Sequence, residues 1–334
     1  MPKGIAWVTT PFVLNYDDPD TLFRPLEEAG LEVRLTSGDV HFTEEELMKG
    51  LPGVVAVIAG AEPFTARVFE SESAENLRIV SRSGVGLNSI DIPAATANGV
   101  VITSAVGQNA VSVAEHTMAL LLAAARRVPW LDKNFRGRAW REIQVPLAPL
   151  TGKTLGILGF GNIGKRVARR AAGFDMKIVA YDPVQDEGSA AEVGARFLSI
   201  EEVARRADFL SCHVPLMPET RGLIGRDLLR LMKPGAFVIN TSRGGLVDLD
   251  AMAEALEEGI IRGAALDVFP EEPPDFDHPI FSMENAVLTP HAAGRGEDSI
   301  YNTVRHAMSC VIEFLAGRRP PDVANPDVFE RLGR

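Results

Sequence analysis

Cysteine is scarce: among 334 residues only Cys212 and Cys310 occur. Two cysteines without C-x-x-C spacing exclude a disulfide framework and a cysteine zinc cage, and they suit a reducing compartment. No metal site is expected. Basic charge is not in excess either, since 34 Lys plus Arg stand against 45 Asp plus Glu, a formal net charge of −11. Binding of nucleic acid by bulk charge shows as a basic excess, so no nucleic-acid partner is expected. Long apolar runs are also lacking. The opening MPKGIAWVTT has no extended apolar core of the signal-peptide kind, and the most apolar helical stretch, Met118 to Ala125, lies between His116 and Arg126. That stretch is too short to cross a bilayer, so no membrane partner is expected and a cytoplasmic location is. What remains is an ordinary globular balance, 46% hydrophobic and 24% charged, which excludes a disordered chain. A chain of this length suggests two domains, at roughly 150 residues each.

In the first hundred residues short apolar runs alternate with amphipathic segments. GIAWVTT, LEVRL from Leu31, VVAVIAG from Val54, LRIVSRS from Leu77 and VVITSA from Val100 read as strands. Asp20 to Ala29, Thr43 to Lys49, Thr65 to Ser71 and Ile92 to Asn98 read as helices. Thr43 followed by Glu46 has the spacing of a capping box. Such alternation predicts a parallel α/β sheet. The fourth strand runs into SRSGVGLNSID, where Gly84 and Gly86 allow another molecule to approach the backbone; taken by itself this segment reads as a tight strand-to-helix turn.

Asn109 to Arg127 reads as a long helix with apolar residues on more than one face, hence buried within its domain or against a partner. His116 on this helix reads as a packing or capping residue in preference to a catalytic one. The next segment, KTLGILGFGNIGKRVARRAAGFDMKIVAYDP, carries the most informative motif. An apolar strand ends at Gly159, the glycines Gly159, Gly161 and Gly164 form G-x-G-x-x-G, a helix follows at once, and a second strand ends in Asp182. Gly159 permits a tight turn, Gly161 lets a pyrophosphate touch backbone, and Gly164 lets helix and strand pack closely. The helix N-terminus offers free N–H groups to the phosphate. Asp182 can accept hydrogen bonds from ribose hydroxyls and would repel a 2′-phosphate, so NAD is expected as the cofactor. Further strands follow at ADFLSCHVPL, AFVINTSRGG, GAALDVF and NAVLTPH. Arg243, Glu272 and His291 lie at or just beyond strand ends, where open α/β sheets bind ligands.

At these residues the chain resembles the D-isomer-specific 2-hydroxyacid dehydrogenase family, which includes phosphoglycerate dehydrogenases and glycerate or hydroxypyruvate reductases. The resemblance runs from about Val54 to Asn325 through GVGLNSIDI, SVAEHTMALLL, KTLGILGFGNIGKRVA, HVPLMPETRGLI, LLRLMKPGAFVINTSRGGLVD, GAALDVFPEEPP and NAVLTPHAAG. It implies a Rossmann NAD-binding domain, 104–295, inserted into a flavodoxin-like substrate domain, 1–103 plus 296–334, with a hinge at the two crossings. It implies a catalytic set of Arg243, Glu272 and His291. Cofactor contacts are implied at Asn162, Ile163, Asp182, Val214, Thr241, Ser242 and Asp267, and substrate contacts at Ser83, Gly84, Val85, Gly86 and Arg243. A homodimer built through the helix from Asn109 is implied as well, the second copy covering the helix's surplus apolar surface.

The residue types suit reversible reduction of a 2-keto acid to a D-2-hydroxy acid. NADH supplies a hydride, which no side chain can. An imidazole can supply the proton, a neighbouring carboxylate can stabilise the imidazolium, and an arginine fork can hold carboxylate and carbonyl oxygens. Two departures matter. Phosphoglycerate dehydrogenases of the type with an arginine pair or an Arg-Ser run after the third strand place it near the substrate phosphate; here the segment is IAGAEPFT, with Glu62, and Arg82 is the candidate base nearby. Formate dehydrogenases of the wider family carry Gln where Glu272 stands. The alternative reading is an NAD-sensing corepressor-like protein of the same fold without significant turnover.

Overall fold

The computed structural model describes residues 4–10, 19–36, 42–138, 140 and 144–333. The chain divides into two units, Met1–Asn109 with Gly296–Arg334, and Ala110–Arg295. Each has its own parallel sheet and its own apolar core.

The first unit holds β1 (Ile5–Val8), β2 (Glu32–Leu35), β3 (Val54–Ala59), β4 (Ile79–Arg82) and β5 (Val101–Ser104), all parallel, in the order β2-β1-β3-β4-β5. This is the flavodoxin-like order, whose switch point lies between β1 and β3. The apolar run of β3 is continuous because helices cover both faces, which removes the alternation of a half-exposed strand. The helix Glu44–Gly50 starts in the expected capping box, with Thr43 Oγ1 accepting from the Glu46 amide and Glu46 accepting from the Thr43 amide. The late helix Glu297–Leu315 returns to this unit. Its Val304, Ala307, Met308, Val311 and Phe314 share a core with Ala6, Ile58 and Ile79. Asn325 secures the last segment: its carbonyl accepts from the Ile102 amide at 2.9 Å, and its amide donates to the Val100 carbonyl and to Thr96.

The second unit holds β6 (Thr154–Leu158), β7 (Lys177–Tyr181), β8 (Arg196–Phe197), β9 (Phe209–Cys212), β10 (Phe237–Asn240), β11 (Gly263–Leu266) and β12 (Ala286–Leu288). They run parallel in the order β12-β11-β10-β9-β6-β7-β8, the doubly wound Rossmann order with its switch point between β6 and β9. The expected fold class is therefore the observed one. Among the described residues no helix is long and apolar enough to cross a membrane.

Two local expectations change. The segment predicted as one helix over Thr65 to Ser71 is a single turn, Ala66–Phe69, followed by a 3₁₀ turn at Glu72–Ala74. The helix predicted over Asn109 to Arg127 spans Ala110–Ala125 and buries nine of its residues, packing on the helix Asn162–Ala172 and on β10 and β11. Its apolar surplus is thus met mostly inside its own unit.

Candidate active site

The glycine-rich turn follows β6, at the second sheet's switch point. Gly159 has φ +94°, and a Cβ there would lie 2.7 Å from the backbone carbon of His213. A Cβ on Gly164 would lie 2.1 Å from the Gly159 carbonyl oxygen, so only glycine lets the helix Asn162–Ala172 approach this closely. Gly161 differs: a Cβ there would meet nothing within 4 Å. It is the N-cap of the helix, no side chain caps it, and Gly161 and Asn162 are both exposed. Open space beside bare amide donors is what a pyrophosphate requires, so the residues present fit a dinucleotide. Asp182 fixes the turn from the end of β7, its two carboxylate oxygens accepting from the Phe160 amide at 2.7 Å and the Val184 amide at 2.8 Å. Each oxygen keeps a further lone pair. Ser242 Oγ donates to the Val214 carbonyl at 2.7 Å, joining the turns after β9 and β10.

Beyond β10, β11 and β12 three loops converge. His291 sits in the left-handed region at φ +49°, and its Nδ1 lies 2.6 Å from Glu272 Oε2. Glu272 Oε1 accepts from the Phe269 amide at 3.1 Å. Burial would raise the Glu272 carboxyl, but the bond and charge of His291, the Phe269 amide and Arg243 outweigh it and hold it below the usual glutamate range. Arg243 is largely buried, which pulls its guanidinium down against the opposing pull of Glu272; arginine stays a cation regardless. Its loop is set by Asn240, whose side chain accepts from the Ser242 amide and donates to the Arg243 carbonyl. Gly244 lets this loop touch the next one, since a Cβ there would fall 1.8 Å from the Phe269 carbonyl carbon.

Asp267, fully buried at the end of β11, organises the turn that carries His291. Its carbonyl accepts from the His291 amide at 2.7 Å. Its Oδ1 accepts from Thr289 Oγ1 at 2.5 Å and the Ala292 amide at 2.8 Å, and its Oδ2 from the Ala293 amide at 2.9 Å. Burial would raise this carboxyl; His116, Thr289 and the two amides outweigh burial and hold it low. Thr241 is buried and shares a 2.8 Å hydrogen bond with Thr117.

In the first unit, Ser83 donates to the Ala59 carbonyl from both its amide and its hydroxyl, each at 2.9 Å, and the Gly84 carbonyl accepts from the Ala105 amide. The Arg82 guanidinium lies beneath the turn: its Nε donates to the Gly86 carbonyl at 3.2 Å, and a Cβ on Gly84 would come within 3.1 Å of it. Val85 is exposed. After β3, Glu62 is buried, and its Oε2 has no hydrogen-bond partner among the described residues. Burial raises its carboxyl despite Thr9, the local backbone amides and the charge of Arg82.

Residues 118–293 match the family described as D-isomer specific 2-hydroxyacid dehydrogenase, NAD binding domain. The chain belongs to this family. It is 40% identical over 313 residues to a D-3-phosphoglycerate dehydrogenase of Methanocaldococcus jannaschii, covering 92% of this chain and 58% of that one. It is 40% identical over 289 residues to a glyoxylate reductase of Korarchaeum cryptofilum, covering 85% of this chain and 86% of that one. Among solved structures, the TT0316 protein from Thermus thermophilus superposes with a TM-score of 0.85 at 35% identity, covering 96% of this chain and 99% of that one. The chain therefore spans a little over half the length of the phosphoglycerate dehydrogenase relative, and most of the glyoxylate reductase.

Within the family's NAD binding domain the geometry joins Arg243, Glu272 and His291, and separately joins the glycine turn to Asp182. Asp267 does not stand open. Its carboxylate is taken up by Thr289, the Ala292 and Ala293 amides and His116. Sequence reasoning missed Thr289 and Gly244, and it left His116 as a packing residue. The signal for Gly244 was the first glycine after Arg243 in TSRGG, read only as the end of a strand segment. For Thr289 there was none beyond its place two residues before His291.

Proposed function

We propose that the chain is an NAD-dependent D-2-hydroxyacid dehydrogenase that interconverts a small 2-keto acid and the D-2-hydroxy acid. The observation that carries this reading is the 2.6 Å pair of His291 and Glu272 beside the largely buried Arg243, at the ligand end of the second sheet. NAD, held by the Gly159–Gly164 turn, Asn162, Ile163 and Asp182, supplies or takes the hydride when bound. Glu272, kept as a carboxylate, accepts from Nδ1 of His291, which leaves Nε2 as the atom that carries the exchangeable proton. In reduction that proton goes to the carbonyl oxygen as it gains negative charge; in oxidation Nε2 takes it back. Arg243 offers a charged planar fork to the carboxylate and the adjacent oxygen. Ser83, Gly84, Val85 and Gly86 offer backbone at the ligand end of the first sheet.

Glu62 supports a finer choice. A buried carboxyl with an unpartnered oxygen beyond β3, whose charge already engages Arg82, opposes a phosphate on the substrate where the phosphoglycerate dehydrogenases with an arginine pair carry positive charge. A short acid without a phosphate, of the glyoxylate or hydroxypyruvate kind, is favoured over a 3-phosphoglycerate kind. The test is steady-state reduction of glyoxylate, hydroxypyruvate and 3-phosphohydroxypyruvate with NADH and with NADPH. Turnover of the first two with NADH is expected. Preference for the phosphorylated acid would overturn the role of Glu62, and tight NADH binding without turnover of any 2-keto acid would favour a NAD-binding regulator. The homodimer finds support in the helix Val128–Arg136, which buries none of its residues and exposes Val128 and Phe135. A light-scattering mass near 36.1 kDa would refute it.

A further inference from the structure

The helix Ala110–Ala125 is almost wholly apolar, yet three of its polar side chains reach the loops of the site. Ser112 Oγ donates to the Ala293 carbonyl at 2.7 Å. His116 Nε2 lies 3.1 Å from Thr289 Oγ1 and 3.4 Å from Asp267 Oδ1. Thr117 meets Thr241 at 2.8 Å, in the loop that carries Arg243. Ser112 and His116 are four residues apart and share one face, the face that meets the turn of His291.

The direction of the hydrogen bonds follows from Asp267. Its carboxyl is held low, so it is ionised and can only accept. The Thr289 hydroxyl proton therefore points at Asp267 Oδ1, and the 2.5 Å separation is that of an O–H donor to a carboxylate. With its proton used, Thr289 Oγ1 faces His116 with a lone pair. Nε2 of His116 must then carry hydrogen, whether the ring is neutral or charged. The same Asp267 also accepts from the amides of Ala292 and Ala293, and its carbonyl from the amide of His291. The left-handed backbone at His291 is a strained conformation for a non-glycine residue, and this clamp holds it.

We propose that His116 is a positioning residue, acting through a directed relay, His116 Nε2–H to Thr289 Oγ1–H to the Asp267 carboxylate, that fixes the turn carrying His291. His116 acts through Thr289 and Asp267 and not through a hydrogen bond to His291 or Glu272. It rests on the dehydrogenase reading only in its effect on turnover, because its hydrogen positions can be read without turnover.

The experiment uses the full chain and the variants H116L, H116Q, T289V and H116L/T289V. Nitrogen-15 spectra of the imidazoles should show hydrogen on Nε2 of His116 in the wild type, with that resonance shifted in T289V. A bare Nε2 overturns the relay. In keto-acid reduction, H116L and T289V should each lower kcat about tenfold, as displacement of a reacting group does, with KM for the keto acid within about twofold. H116Q, which keeps an N–H donor, should recover most of the loss, and the double variant should be no worse than the poorer single one. Wild-type kcat in H116L, failure of H116Q to recover, or additive losses in the double variant would each overturn the proposal. A wild type that reduces no 2-keto acid would sink the dehydrogenase reading, while the imidazole spectra would still decide the relay.

Discussion

The same substitution at two glycines of one motif should have opposite effects. At Gly164, alanine places a Cβ 2.1 Å from the backbone oxygen of Gly159. Carbon and oxygen do not approach within about 3 Å, so helix and turn must separate by nearly an ångström. Overpacking of this kind costs about 1–3 kcal/mol, and the better helix propensity of alanine returns about 1 kcal/mol. Because the clash is against rigid backbone, the cost sits at the upper end of that range, and the net loss of about 2 kcal/mol should lower the melting temperature by about 4–8 °C. At Gly161, alanine meets no protein atom within 4 Å, and the backbone there is extended and open to any residue. Stability should stay within about 0.5 kcal/mol of the wild type. The methyl group would occupy the space proposed for the pyrophosphate, so Kd for NADH should rise at least about tenfold, a loss of about 1.4 kcal/mol. Thermal unfolding without cofactor and a fluorescence titration with NADH read the two effects separately. Wild-type NADH affinity in G161A would show that the pyrophosphate does not lie on this turn. Wild-type stability in G164A would show that the close approach is not a constraint.

H291A should lower kcat by about 10²–10⁴, the usual loss of a general acid, and an unchanged kcat would place the proton donor elsewhere. Glu272 is depressed, so its paired carboxylate is present above the ordinary glutamate value of about 4.3 and is lost only as pH falls through the lower folded value. The acid limb of kcat/KM should accordingly lie below about pH 4.3 in the wild type, and a limb that persists unchanged in E272Q would assign it to another group. D182A should narrow an NADH preference over NADPH of at least about tenfold, because the carboxylate that repels a 2′-phosphate is gone; an unchanged ratio would place selection elsewhere. Glu62 is raised, so its contribution to stability is full below its unfolded value and is lost as pH rises through the folded one. E62Q should melt higher than the wild type at pH 8, by the equivalent of about 1 kcal/mol, with the gap closing near pH 4. Equal melting temperatures at pH 8 would refute the buried charge.

Much of the fold was legible because its signals are local. The Thr43–Glu46 capping box, the run of VVAVIA and the strand–glycine–helix fingerprint each express a constraint within a dozen residues, and each is found in place. The strand Arg196–Phe197 was not legible, since two residues carry no periodicity. The order of strands in either sheet was not legible from patterning alone, because hydrophobic period does not encode which strand lies beside which. Gly244 shows the same limit at the site: its need for glycine comes from Phe269, a neighbour only in the folded chain.

The helix Ala110–Ala125 shows how such a long-range constraint still leaves a trace. Judged by its apolar excess alone, it asked for burial and nothing more, and most of that excess is indeed met by its own unit. The informative residues are the exceptions. A polar side chain on a helix buried on most sides must find a partner or bear the cost of an unmet hydrogen bond, about 1–3 kcal/mol. Ser112, His116 and Thr117 find theirs in Ala293, Thr289 and Thr241, with the partners of His116 and Thr117 173 and 124 residues away in sequence. These partners lie on the turns that bear His291 and Arg243. Polar residues scattered through an apolar helix thus mark where a rigid element grips the loops of a site, even when the sequence gives no hint of which loops they are.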